Sequence, residues 1–484
     1  MFDFLLRHVL LRGLPPETID ACLRHPEVSA LLRFRFAYLF AFHAPVLVPL
    51  LEQLSAPSPR QGSQGSHGDP ALSVLSLGLA SLTMVLADVP TGLYADRHGA
   101  KAALRLGLQA TNVIMLGFLL LGCLHALLPA TVGSSTLGSI GVLALEAAIG
   151  VSLALLSGAD TVLFLQVARR SGIPGLLHPS FEGVGSSIRY LGTMVAVLIG
   201  SLLYDLLTWL IPTSGLRTAL QSGLFGLTVL AELIALHYLG RLHDDHAPLH
   251  RPGLRELLRG FAAVLGHPRF FAEMWLLSMT AATALFAVYL VQSPLSRLLR
   301  GLLTLHPWWW PTYTVVAVLG YWACSVGSQR FAKHRDRTLE VLPQRSLSLT
   351  AVAWLLLLLF PLGLWLAPES ELLRPLLLLA ICTTLCLAYN YLRGFIEPYS
   401  AATLIRFTYE QGAQVPASVV SGFNSLKRGA HFVLSAVFYL LARHATTQDP
   451  DVRLSQSLGW LAAGFLLFCL PALYGLRKSK PQPL

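Results

Sequence analysis

Apolar runs close to 20 residues long recur from one end of the chain to the other, and the charges collect in the segments between them. An α-helix rises 1.5 Å per residue, so about 20 residues cross the ~30 Å hydrocarbon core of a bilayer. Backbone polar groups find no water to bond in that core, which leaves the helix as the structure such a run adopts. The chain has 484 residues, 54% hydrophobic and 12% charged, where a soluble domain carries about 25% charged residues. Its length alone would suggest roughly three soluble domains, but a soluble protein has nowhere to bury this much apolar surface. Twelve spans are expected, near 33–54, 71–95, 103–127, 138–168, 183–207, 216–240, 270–292, 311–331, 346–366, 374–398, 416–442 and 456–476. The fold class is therefore an all-α integral membrane protein with twelve transmembrane helices. The first span carries His43 and Glu52 and the eleventh carries Lys427 and Arg428, yet both are too apolar around those residues to be loops.

With the N-terminus on the cytoplasmic side, the inner segments hold 24 Lys and Arg and the outer segments 7. Lys and Arg are retained in short cytoplasmic loops, so this asymmetry orients both termini inward and supports the span count. The expected location is the inner (cytoplasmic) membrane, with the chain passing through it many times. The net charge of +10 belongs mostly to these loops and faces an anionic membrane surface. No basic patch with interleaved aromatics marks nucleic acid as a partner. Residues 2–12 (FDFLLRHVLLR) do not read as a cleavable signal, because Arg7 and Arg12 interrupt the apolar core and no small-residue cleavage site follows. An amphipathic helix on the membrane surface and a plain cytosolic extension both fit that segment. Cys123, Cys324, Cys382, Cys386 and Cys469 lie inside apolar runs, where cysteine packs as a small apolar residue. No metal and no cofactor is expected. His243, Asp244, Asp245 and His246 fall in the 241–269 connection, which reads as a solvated linker rather than a metal site.

The chain repeats once. Leu156-Ser157-Gly158 echoes Leu392-Arg393-Gly394 at an offset of 236, Ser187-Ile188-Arg189 echoes Ser425-Leu426-Lys427 at 238, and Gly92 echoes Gly327 at 235. Spans in corresponding order at nearly one offset divide the chain into two pseudo-symmetric six-helix bundles. The expected units are a cytosolic segment 1–32, a bundle 33–240, a cytoplasmic linker 241–269, a bundle 270–477 and a tail 478–484. Repeated halves with a site between them are the architecture of many secondary transporters.

One stretch between spans is unusually dense in charge and glycine. Asp88-Val-Pro-Thr-Gly92 runs into Gly92-x-x-x-Asp96-Arg97-x-Gly99-x-Lys101, between the second and third spans on the cytoplasmic side. This loop resembles the signature of the major facilitator superfamily, and Leu155-Leu-Ser-Gly-Ala-Asp160 in the fourth span adds to the likeness. Ala100 stands where the family usually has a basic residue, and the corresponding loop of the second half, Gly327 to Arg337, has the bases without the Asp. The resemblance implies a monomeric secondary active transporter that moves a small molecule across the lipid bilayer by alternating access, coupled to protons and directed to efflux. Proton-coupled uptake is the alternative. A transporter-like receptor or scaffold and a membrane-embedded enzyme are rivals of a different class. No phosphate-cradling Gly-x-x-x-x-Gly-Lys-Ser/Thr, Gly-x-Ser-x-Gly or His-Glu-x-x-His occurs, so the chain does not read as an enzyme or an ATP-driven pump.

Ionisable groups at membrane depth are costly and therefore candidates for function. Asp160 and Arg189 fall at similar depth and are expected to pair, with Glu397 and Lys427 as the counterpart in the second half. Lys427 and His431 share a face, and with Arg428 they offer a cationic lining that favours anionic substrates. The resemblance implies that helices 1, 4, 7 and 10 line a central cavity. Glu146 is then the first candidate for a protonatable coupling residue, since apolar surroundings disfavour a charged carboxylate. His43 reads as a packed, hydrogen-bonded residue, Asn390 and Arg393 are expected to face the cavity, and Glu232 lies in a helix that the resemblance places at the periphery. Gly92 and Asp96 share a helix face, and Asp96 stands at a helix C-terminus that disfavours its charge. The resemblance supplies its partner as the start of helix 11, near Pro416 and Ser418. Replacing Asp96 with Asn is expected to reduce transport sharply with little loss of folded protein, measured as flux per folded molecule; normal flux removes the gate role.

Overall fold

The computed structural model describes residues 25–38, 40–55, 70–127, 132–173, 178–211, 214–243, 268–305, 312–333, 342–366, 373–410, 417–444, 452 and 455–462. The elements among them are helices, in the order α1 Pro26–Ala37, α2 Leu47–Ser55, α3 Pro70–His98, α4 Ala100–Leu127, α5 Val132–Arg170, α6 His178–Leu210, α7 Ser214–Gly240, α8 Pro268–Leu305, α9 Thr312–Lys333, α10 Leu342–Leu357, α11 Leu359–Leu366, α12 Leu373–Glu410 and α13 Ala417–His444. Residues 455–462 are also helical. Eight of the helices in the described residues are long and apolar enough to cross a membrane. Several run well past the expected spans: α5 has 39 residues, which makes it ~58 Å long. Large apolar side chains on α4 and α7, such as Val113, Leu120, Leu230 and Ile234, remain exposed on the outer surface, as lipid-facing positions would. Along the corresponding stretch of α8, within Phe271–Gln292, most residues are buried, so this helix runs through the interior.

The first span departs from expectation. Instead of one helix over 33–54, α1 stops at Ala37, a short 3₁₀ turn covers Ala44–Val46, and α2 resumes at Leu47. Pro45 and Pro49 sit at this restart, where the missing N–H of proline costs least. The break lies directly on α6, because that helix presents glycines to it. A Cβ on Gly192 would collide with the Phe36 carbonyl, one on Gly200 with the Phe42 carbonyl, and one on Gly185 with the Arg35 guanidinium. On the other side Gln292 of α8 clasps the break: its Nε2 donates to the Ala44 carbonyl at 3.2 Å and its Oε1 accepts from the Val48 N–H at 3.4 Å.

Two antiparallel seams run through the middle of the bundle. Along α3 and α13, Gly78 faces Ser435 so closely that a Cβ would lie 2.7 Å from the serine Cβ. Farther on, Ser81 is hydrogen-bonded to His431 at 2.7 Å and Ser425 donates to Asp88 at 2.8 Å. Along α6 and α9, a Cβ on Gly183 would lie 2.9 Å from Ala332, Ser187 meets Ser325 at 2.8 Å, and Thr314 donates to Asp205 at 2.9 Å. The two polar contacts correspond: Asp88 to Ser325 is an offset of 237, and Ser187 to Ser425 one of 238. The sequence repeat therefore reappears as a repeated contact.

Glycines on α6 make a sharp stability test. In an exposed helix interior Gly→Ala stabilises by roughly 0.5–1 kcal/mol. Gly223 of α7, whose Cβ would meet nothing within 4 Å, is expected to follow that rule. Gly192→Ala is expected to lower the thermal midpoint instead, by roughly 1–3 kcal/mol of overpacking. Equal midpoints for the two variants would mean that α1 does not rest on α6 in this way.

Candidate functional site

A cavity of about 330 Å³ opens between the two seams. Its wall is drawn from α3, α5, α6, α7, α8, α12, α13 and the irregular segment after α1. His43, Glu146, Asp160, Arg189, Arg393, Glu397, Lys427 and Arg428 all contribute to it. Asn390 does not. It is turned towards α9, where the Cys324 thiol donates to its carbonyl at 2.9 Å and its own amide donates to the Cys386 carbonyl at 2.9 Å. Residues Gln292, Tyr321 and Cys386 share that separate small recess with it. Glu232, expected at the periphery, is 7% exposed and lies on the cavity wall.

The Glu397 carboxylate gathers the charges of α6 and α12. Arg189 donates to it at 2.7 Å and Arg393 at 3.2 Å, and the Tyr190 hydroxyl donates as well. Arg189 therefore pairs with Glu397 and not with Asp160 as expected, and Glu397 takes two arginines in place of Lys427. The pairing joins α6 to α12 across 208 residues of chain, a separation that depth along the sequence cannot register. Lys427 and Arg428 stay on the cavity wall beside Asn424, Tyr289 and His431.

Two carboxyls stand apart from these pairs. Glu146 on α5 is 2% exposed, and among the described residues its Oε1 and the Oε2 of Glu232 on α7 have no hydrogen-bond partner. A carboxylate so placed is expensive, whereas a protonated carboxyl is tolerated. His43 is packed against Phe225 with ring centroids 4.8 Å apart, and its Nδ1 is hydrogen-bonded to Thr228 at 3.1 Å.

The charged loop resolves into single-residue chemistry. Gly92 is buried in α3, Asp96 lies in its last turns, and Arg97 is exposed. Gly99 alone separates α3 from α4 and adopts φ 95°. That left-handed conformation ends the helix, with the Gly99 N–H bonded back to Ala95 at 2.8 Å. Lys101 reaches the carbonyls of Gly240 and Leu242, capping the C-terminus of α7. The expected contact of Asp96 with residues near Pro416 and Ser418 lies outside the described residues and side chains.

Arg35 and Glu182 were not among the sequence candidates. Arg35 has no exposed surface; it donates to Asp160 at 3.1 and 3.3 Å and to Glu182 at 3.0 Å, and its guanidinium stacks 3.9 Å over Phe164. Counted with the loop cations at the edge of the first span, Arg35 looked like an orientation signal. Its position inside the apolar run, two residues past Arg33, was the available clue. Removing one partner of a buried ion cluster costs about 3–5 kcal/mol because the remaining charges lose compensation. Arg35→Met is therefore expected to abolish or strongly reduce folded yield, while Arg35→Met with Asp160→Asn and Glu182→Gln recovers part of it. A single variant as stable as the wild type in thermal unfolding would rule out this brace.

No family model matches the chain, and no curated protein matches its sequence. Solved structures do match in shape. A D-xylose–proton symporter aligns with a TM-score of 0.59 at 12% identity, covering 93% of this chain and 97% of that one. The xylose transporter XylE from E. coli in a partially occluded inward-open conformation gives 0.59 at 12%, over 94% and 98%. The human organic anion transporter MFSD10 gives 0.50 at 15%, over 95% and 100%. At such low identity the likeness speaks for the fold alone: this chain is an all-α membrane bundle that shares its fold with these transporters.

Proposed function

We propose that the protein is a secondary active transporter that moves a small molecule through the central cavity by alternating access, driven by protons. The observation that carries the reading is Glu146, a carboxyl 2% exposed, on the cavity wall, with an oxygen that no described group satisfies. Such a group binds and releases a proton as the cavity changes its access to water. The seams supply the moving contact. Serine hydroxyls, small residues and one cross-bundle ion pair, Arg189 with Glu397, join α3 to α13 and α6 to α9 and α12. On this reading the two moving bodies are the bundles 33–240 and 270–477 joined by the 241–269 linker, the loop around Asp96 closes the cytoplasmic side, and the cation count places both termini in the cytoplasm. The D-xylose–proton symporter among the structures of similar fold favours import with the proton over the export expected from sequence.

The test is a purified, reconstituted protein in vesicles with an imposed proton gradient. Wild type is expected to accumulate its substrate against a gradient when protons run down theirs, and the direction that supports accumulation distinguishes import from export. Glu146→Gln keeps the shape but cannot exchange a proton. It is expected to lose gradient-driven accumulation while retaining exchange of substrate across the membrane. Wild-type flux that ignores the proton gradient removes the coupling.

A further inference from the structure

We infer that the part of the cavity formed by α12 and α13 is a binding site for a small organic anion, a carboxylate or phosphate ester engaged by Lys427 and Arg428. This rests on the transporter reading. Arg189, Arg393, Lys427 and Arg428 all line the cavity, and the carboxylate standing among them is Glu397. Its oxygens are already taken by Arg189, Arg393 and the Tyr190 hydroxyl. Lys427 forms no hydrogen bond or ion pair among the described residues, and the Nε of Arg428 is buried without a hydrogen-bond partner. Asp88 lies near them on α3, but it is fully buried, and Ser157 and Ser425 hydroxyls occupy its two oxygens at 3.0 and 2.8 Å. Asp160 and Glu182 both hold Arg35, and Glu146 and Glu232 form no ion pair with these cations among the described residues. Among the described residues of the α12–α13 side, four cations (Arg189, Arg393, Lys427 and Arg428) thus face two carboxylates, Glu397 and Asp88, while the second acid of the Arg35 brace lies on the α5 and α6 side of the cavity.

Uncompensated positive charge beside a low-dielectric cavity attracts an anion of matching size. The chemistry of the wall suits an oxyanion. Arg428 offers a planar fork that matches carboxylate and phosphate oxygens, and Lys427 offers a compact ammonium. Asn424 and Tyr289, also on the wall, add an amide and a hydroxyl for the remaining oxygens. The carboxyls Glu146 and Glu232 stand elsewhere on the wall, on α5 and α7, so the anion and the proton have separate seats.

Thermal unfolding of the purified full chain tests this, with succinate and glycerol phosphate as probes, chloride at equal ionic strength as the ionic control and D-xylose as the neutral one. Succinate or glycerol phosphate is expected to raise the midpoint beyond chloride, and D-xylose is not. Lys427→Gln and Arg428→Gln are expected to weaken that binding about tenfold or more, the loss of one charge-assisted contact; Lys427→Arg should retain it. Absence of anion-specific stabilisation in the wild type overturns the assignment, as does undiminished binding in both Gln variants. If those variants fold poorly, the wild-type comparison of anions with D-xylose still decides. Proton-driven flux in phosphatidylcholine vesicles, which bring no anionic headgroup, separates the two readings. Flux of D-xylose without anion binding overturns the anion site and leaves the transporter; anion binding with no proton-driven flux supports the site and tells against the transporter.

Discussion

A guanidinium with no exposed surface cannot remain inside an apolar bundle unless carboxylates hold it. Arg35 meets that demand with Asp160 and Glu182, and in doing so fastens α1, α5 and α6 at one point. Much else follows from this fastening. Helix α1 ends two residues later at Ala37, and the chain beyond it runs irregularly along α6 until α2 begins. Its carbonyls lie on Gly192 and Gly200, where any larger residue would push them away. Tyr38, Phe40 and His43 consequently reach the cavity wall, and Gln292 of α8 holds the far side of the break.

The same rule organises the opposite wall with a different outcome. Around Glu397 the cations outnumber the acids, so one carboxylate satisfies Arg189 and Arg393 while Lys427 and Arg428 still face the cavity. The brace at Arg35 holds one cation between two acids and leaves no free cation. The cluster at Glu397 is open. This difference distinguishes the Arg35 brace from the proposed anion site, although both consist of buried ionisable side chains. Between them, the seams use hydroxyls and small residues, whose hydrogen bonds contribute about 1 kcal/mol each. A proposed transport cycle needs contacts of that modest strength, since they must break and re-form at every turnover.

Most of the helical layout was legible in the sequence. Apolar run lengths located the spans, and α3 to α9 and α12 to α13 stand close to the expected positions. The charged loop turns on a single residue, Gly99 at φ 95°, a conformation that favours glycine. The repeat offset reappears in the Asp88–Ser425 and Ser187–Ser325 contacts. What failed was pairing. Asp160 and Arg189 share a depth but not a partner, because depth along a helix says nothing about which way a side chain points around it. Asn390 and Glu232 failed for the same reason, one turned away from the cavity and the other turned into it. The break in the first span failed because its cause is on another element, the glycine face of α6.

By itself, then, the sequence determined that this is a helical membrane protein, how most of its helices are ordered and that ionisable residues lie within its apolar runs. These depend on local length, hydropathy and backbone conformation, and each can be read along one dimension. The tertiary structure alone decided which of those charges neutralise each other and which are left facing the cavity. That outcome depends on helix rotation and on contacts between residues as far apart as Asp88 and Ser425, 337 positions along the chain. A charge in an apolar interior takes its role from its nearest opposite charge, and proximity exists only once the chain is folded.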